Sequence, residues 1–156
     1  MRRSKPDALD APACARVAVD LLARREHSRL ELTRKLAARG FPEDVIAPAL
    51  DELERSGALA DERFTASFVR SRVAKGQGPS RIRAELVQRG IAGAAEALRE
   101  AEVDWRAAIR AVRSKKFGPD VPSDYRERAR QARFLEYRGF SSEQIRAALE
   151  LDPESD

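Results

Sequence analysis

The sequence holds one cysteine, one histidine and one tryptophan among 156 residues, and these scarcities exclude several kinds of chemistry. Cys14 alone cannot close an intrachain disulfide, which fits a reducing compartment. In an apolar helix it reads as a small buried residue and not as a nucleophile. His27 has no Cys or His companion with which to hold zinc, so no metal or other cofactor is expected, and its position at a turn between helices points to a structural role. Carboxylate pairs suited to acid–base work are missing as well, since Glu52 and Glu54 fall on different faces of a helix. Gly76-Gln77-Gly78 lacks the Gly-Lys-Ser/Thr that would complete a phosphate loop. With no catalytic constellation, the chain is expected not to be an enzyme.

Long apolar runs are also lacking. None approaches the ~20 residues of a membrane span. The opening Met1-Arg2-Arg3-Ser4-Lys5-Pro6-Asp7 is charged and leads into no apolar stretch, so no secretory signal is read and a cytoplasmic protein is expected. Aromatic residues make up only 6%, against 42% hydrophobic residues in all, which favours many small contacts between helices over one thick core. No stretch alternates apolar and polar residues as a half-buried strand would.

Charge, by contrast, is plentiful and unevenly placed. The formal net value is +4. Residues 61–90 hold seven Lys/Arg against three Asp/Glu, and residues 106–138 hold ten against four. The intervening segment 91–105 is net −3 and the stretch from Gly139 is net −4. Two basic blocks bounded by acidic ones suit a polyanion or an acidic protein surface as partner.

Three segments share one pattern: Lys35-Leu36-Ala37-Ala38-Arg39-Gly40-Phe41, Glu85-Leu86-Val87-Gln88-Arg89-Gly90-Ile91 and Phe134-Leu135-Glu136-Tyr137-Arg138-Gly139-Phe140. The glycines are 50 and 49 residues apart, a period that marks a repeat architecture. Each segment reads as a helix end closed by a left-handed glycine, Gly40, Gly90 or Gly139. In a Schellman cap the leucine four residues before each glycine touches the apolar residue after it. The preceding Arg39, Arg89 and Arg138 suit the negative end of a helix.

Between these marks the pattern predicts three helices per unit. The first unit has helices over Ala13–Arg25, Arg29–Arg39 and about Pro42–Ser56, with Ser28 and Glu31 as a capping box and Pro48 as a source of a kink or a late start. In the second, Asp61 caps a helix to about Lys75, and helices over Pro79–Arg89 and about Ala92–Ala101 follow. In the third, Asp104 caps a helix that stops at Gly118-Pro119, Ser123 opens one to Arg138, and Ser141 with Gln144 boxes the last. The expected fold is all-α: three tandem three-helix repeats stacked into an elongated, curved array. The expected boundaries are 13–58, 59–103 and 104–151, with a flexible tail over 1–12 and an acidic tail over 152–156.

At this point a resemblance becomes specific. Arg25-Glu26-His27-Ser28 with Glu31-Leu32 and Lys35-Leu36 looks like the opening of the RecX family. Asp61-Glu62-Arg63-Phe64, Phe68-Val69-Arg70-Ser71-Arg72, Lys75-Gly76-Gln77-Gly78-Pro79 and Ile82-Arg83-Ala84-Glu85-Leu86 resemble its middle, and Arg133-Phe134-Leu135-Glu136-Tyr137-Arg138-Gly139-Phe140 its close. The likeness spans about Ala13 to Leu149. It implies a monomeric regulator that lodges in the helical groove of the RecA–DNA filament and bridges neighbouring protomers. There it would suppress ATP hydrolysis, strand exchange and co-protease activity, in recombination, repair and the SOS response. An alternative from the helix triplets alone is a sequence-specific regulator of helix-turn-helix type.

The residues expected to meet the partner are the cations of the two basic blocks. Arg70, Arg72, Lys75, Arg81 and Arg83 surround the Gly-Pro turn. Arg106, Arg110 and Arg113 form a stripe at spacings of four and three, with Lys115 and Lys116 beyond, and the face begun by Trp105 and Ile109 is expected to keep that stripe solvent-side. Arg126, Arg130 and Arg133 repeat the spacing, and acidic partners along the two stripes are not apparent. Guanidinium groups pair with carboxylate and phosphate alike, so both the RecA filament and the DNA backbone are candidate partners. Phe64, Phe68, Trp105 and Phe134 fall at helical spacing and are expected in the core.

Overall fold

In the computed structural model, residues 9–150 are described, and they form nine helices and no strand. These are α1 (Ala11–Arg24), α2 (Arg29–Ala38), α3 (Glu43–Arg55), α4 (Asp61–Ala74), α5 (Pro79–Gln88), α6 (Ala94–Glu100), α7 (Trp105–Phe117), α8 (Tyr125–Tyr137) and α9 (Ser142–Leu149). The chain divides into two compact units. The first holds the described residues to Ser67 together with 88–92, and the second holds 68–87 and the described residues from Gly93. The acidic segment 152–156 lies outside the described residues.

In the first unit, α1 and α2 both pack on α3. Cys14, Ala18, Leu32, Leu36 and Leu50 are wholly withdrawn from solvent there. Burial pushes the Cys14 thiol up from its ordinary pKa, so the sulfur is held as an inert thiol. Helix α1 starts two residues before the expected Ala13, within the segment expected to be a flexible tail. The Asp10 carboxylate accepts the Ala13 N–H at 2.9 Å, and Pro12 fits a first turn, where no N–H partner is needed. The Ser28–Glu31 capping box is complete, with both bonds at 3.1 Å. Pro48 does not delay α3, which starts at Glu43 and continues through it. It is exposed, as is Asp44 one turn before it, the residue whose carbonyl a proline at this place cannot serve.

Asp61 departs from its expected role. Its carboxylate accepts the N–H of Arg29 at 2.8 Å, the first residue of α2, and so serves another helix's open end. The backbone carbonyl of Ala60 accepts the Phe64 N–H to begin α4. Arg29 extends its guanidinium the other way, onto Asp51 and Glu54 of α3 at 2.8 and 3.0 Å.

In the second unit, α7, α8 and α9 enclose Ile109, Leu135, Phe140, Ile145 and Leu149, with Trp105 packed edge-on to Phe140. Asp104 caps α7 through the Ala107 N–H at 3.0 Å. Helix α8 is capped by Asp124 and not by Ser123: its carboxylate accepts the Glu127 N–H at 3.1 Å, which places the start one residue later than Ser123 would. Helix α6 begins at Ala94, because Gly93 holds φ +67° and cannot be part of a right-handed turn.

The cap leucines Leu36, Leu86 and Leu135 are all fully buried, and Gly40, Gly90 and Gly139 hold φ of +96°, +79° and +99°. At Gly40 and Gly139 both Schellman bonds form, to Ala37 and Leu36 and to Glu136 and Leu135 respectively.

Candidate partner-binding surface

The second unit is organised by two turns that press together. Gly78, after α4, donates its N–H to the Arg138 carbonyl at 2.7 Å. Ser80 donates both its N–H and its hydroxyl to the Gly139 carbonyl, at 3.0 and 2.7 Å. The approach is so close that a Cβ on Gly78 would stand 2.4 Å from the Gly139 carbonyl carbon. A Cβ on Gly139 would stand 2.5 Å from that of Arg81, in a backbone conformation that side chains resist. Any side chain at Gly78 therefore forces the turns apart. The motif Lys75-Gly76-Gln77-Gly78-Pro79 thus gains a physical meaning: it ends α4, starts α5 and docks the α8–α9 turn.

This docking assembles a groove. The end of α4, one face of α7 and the end of α8 line a hollow of about 670 Å³. Its floor is Val73, Ala107, Ala108, Ala111, Val112 and half-buried Phe134. Lys75, Lys115, Lys116 and Arg138 stand around it, with Asp104 as the one acidic lining residue. Arg138 donates to the Lys75 carbonyl at 3.2 Å, and its guanidinium carbon lies 5.0 Å from the centre of the Phe134 ring. The Lys116 ammonium is 5.5 Å from the same ring. Phe134 also meets Phe117 edge-on, and Arg130 lies over Phe117 at 5.1 Å.

The other face of α7 lines a second hollow, of about 570 Å³, against α9 and the segment around Pro119 and Val121. Trp105, Ile109, Ala147 and Ala148 give it an apolar lining, and exposed Arg106 and Arg110 stand at its mouth. A third, shallower site on α8 is formed by Tyr125, Arg126, Arg130 and Arg133 together with Asp124 and Glu127. Among the described residues no cluster of His, Cys, Asp and Glu could hold a metal ion, and no helix is long and apolar enough to cross a membrane.

Three family models match the chain in order: the first three-helix domain of RecX over residues 14–53, the second over 61–95 and the third over 102–149. The regulatory protein RecX of Pseudomonas entomophila (strain L48) is 54% identical over 140 residues, covering 88% of this chain and 90% of the relative. That of Halorhodospira halophila is 52% identical over 141 residues, covering 89% and 88%. The crystal structure of RecX from Lactobacillus salivarius superposes with a TM-score of 0.72 over 90% of this chain and 94% of that one, at 21% identity, a likeness of fold. The chain belongs to the RecX family.

In this RecX chain the expected contact residues separate into distinct settings. Lys115 and Lys116 share the α4–α7–α8 groove with Lys75, whereas Arg106 and Arg110 lie on the opposite side of α7. Arg70 and Arg83 are exposed, and Arg81 is half-buried with its guanidinium carbon 5.6 Å from the Tyr137 ring. Arg72 is less free than its sequence context indicates, being paired with Glu85 at 3.2 Å and stacked on Phe68 at 4.7 Å.

Two expectations fail outright. Arg113 is not on the solvent side: it is 2% exposed and donates to the carbonyls of Pro119, Asp120 and Gly118 at 2.9, 3.0 and 3.4 Å. At about 100° per residue, position 113 is rotated only about 40° from the buried Ile109 but about 60° from Arg110. The α8 stripe is also not without acidic partners. Arg130 makes two bonds to Glu127, at 2.8 and 3.0 Å, and these together with Gln131 hold the Glu127 carboxyl below its ordinary pKa. The site residue that sequence reasoning missed is Arg138, read only as a cation at a helix end. Its signal was the aromatic one turn before it, Phe134, at the i, i+4 spacing that lets the two side chains meet.

His27 sits in the first unit and is 1% exposed. Its Nδ1 is 3.0 Å from the Arg25 carbonyl and its Nε2 is 3.0 Å from the Lys35 ammonium. Burial, above all, holds its pKa below the ordinary value, and the nearby cations Arg25 and Lys35 add to this. Glu31 beside it pairs with Arg25 at 3.0 Å. Burial alone would raise that carboxyl, but the hydrogen bonds from Arg25 and Ser28 prevail and its pKa is lowered.

Proposed function

We propose that this protein binds the RecA–DNA filament and restrains it, lowering RecA's ATPase, strand-exchange and co-protease activities, as a non-enzymatic cytoplasmic regulator in recombination, repair and SOS control. The observation that carries this reading is the ordered match of all three RecX domains, at about half identity to regulatory proteins RecX over most of the chain. The charge distribution supports it, since the expected contact cations fall within residues 70–133 and most remain at the surface. Exposed Arg106 and Arg110, and Arg126 with Arg133, can reach carboxylates of a protein lattice or phosphates of the strand within it. Among the described residues we read no set of side chains suited to base edges, so a DNA contact would be to the backbone and would weaken steeply with salt.

Co-sedimentation with RecA assembled on single-stranded DNA, paired with an ATPase assay, tests the proposal. Saturable co-sedimentation and falling ATP hydrolysis as the protein approaches equimolar amounts are expected. Absence of co-sedimentation, with hydrolysis unchanged at equimolar protein, overturns it.

A further inference from the structure

We infer that the α4–α7–α8 groove is a protein-docking site, one that receives an amphipathic segment of the filament protein with apolar side chains on one face and carboxylates at its flanks. The inference rests on the RecA-filament reading and names which surface takes the protein and which does not take the nucleic acid.

Three features argue for that occupant. The floor is built of small residues, with exposed Ala107 and Ala111 one turn apart on α7, so another backbone can approach closely and fill the hollow with its own apolar side chains. The surrounding charge is one-sided. Lys75, Lys115, Lys116 and Arg138 make no ion pair with any described residue, and the one acidic lining residue, Asp104, spends its carboxylate on the Ala107 N–H. Four cations held around an apolar hollow repel one another until carboxylates arrive, which is charge complementarity toward an acidic-flanked segment.

The third feature separates polypeptide from nucleic acid. Binding of single strands without sequence preference uses aromatic faces open to the bases. The one aromatic in this groove, Phe134, has Lys116 and Arg138 over its ring and meets Phe117 edge-on. The remaining floor is alanine and valine, which offers bases no stacking platform but suits leucine- or phenylalanine-sized side chains.

The test uses the full chain, with RecA filaments on a single-stranded oligonucleotide and the same oligonucleotide bare as the two probes. Ala111→Tyr fills the groove without changing charge, and Lys115→Glu with Lys116→Glu reverses the cations at exposed positions. Both variants should lose at least tenfold in filament affinity, and Ala111→Tyr should change affinity for the bare oligonucleotide by less than twofold. Wild-type filament affinity in a folded Ala111→Tyr, checked by circular dichroism, overturns the inference. So does an equal loss on both probes, which would make the groove a nucleic-acid site. If Ala111→Tyr does not fold, the double charge reversal decides, and retained filament affinity there refutes the groove. Failure of the wild-type protein to bind filaments at all is a different result, and it removes the RecA reading together with this one.

Discussion

Arg110 and Arg113 stand one turn apart on α7 in opposite surroundings. Arg110 projects at the surface, while Arg113 turns under and ties down the carbonyls of residues 118–120. Replacing Arg113 by Met strips three acceptors of a charged donor and should cost about 1–3 kcal/mol of stability. Arg110→Ala should stay within about 0.5 kcal/mol, as exposed substitutions usually do. Thermal melts of the two variants check the contrast, and equal melts would mean that the buried guanidinium does not hold the loop. At the same scale, His27 gives a pH signature. Its imidazole is held neutral in the fold, Nδ1–H toward the Arg25 carbonyl and the Nε2 lone pair toward the Lys35 ammonium. A second proton would face that cation. Because the folded pKa lies below the unfolded one, the unfolded chain takes up the proton first. Stability from this residue is therefore complete above the ordinary imidazole value near 6.5 and declines as pH falls below it. His27 is the chain's only histidine, so the melting temperature should drop between pH 7.5 and 5.5 in the wild type and much less in His27→Gln.

At the scale of elements, capping and docking do different jobs. The Ser28–Glu31 and Ser141–Gln144 boxes satisfy helix ends from within a few residues, so they were legible as short motifs. The contact of the α4–α5 turn with the α8–α9 turn joins residues 59 apart in sequence at Ser80 and Gly139, and no local pattern reports it. Gly78 has no left-handed backbone to advertise its need for glycine; its constraint is the facing carbonyl. Gly78→Ala is expected to destabilise by about 1–3 kcal/mol through the forced separation. It should also loosen Lys75 from Arg138, so filament binding should weaken at temperatures where the chain is still helical. Circular dichroism and co-sedimentation on the same sample check this, and an unaltered melt would show that the turns can part without cost.

For the molecule as a whole, the question is where the positive charge is free to act. Of the α7 stripe only Arg106 and Arg110 are open to solvent, so a charge reversal that includes Arg113 would confuse binding with folding. Arg106→Glu with Arg110→Glu is the cleaner probe. It should lower filament affinity about tenfold or more near 50 mM salt and flatten the salt dependence, with helicity unchanged. Unchanged affinity across a salt titration would assign that face of α7 no part in binding.

The sequence by itself determined the helices, most of their caps, the three-unit period and the family, because propensity, capping and the 3.6-residue turn act over a few neighbouring residues. It also marked where positive charge is concentrated. Tertiary structure decided which of those charges remain available: Arg113 went under a loop, Arg72 to Glu85, Asp61 to the open end of α2, two helices earlier, and Arg138 came to the edge of a groove. The physical reason is range. A side chain several carbons long chooses among partners brought near by packing, and those partners range from a loop six residues on, as for Arg113, to groups 32 and 63 residues away, as for Asp61 and Arg138.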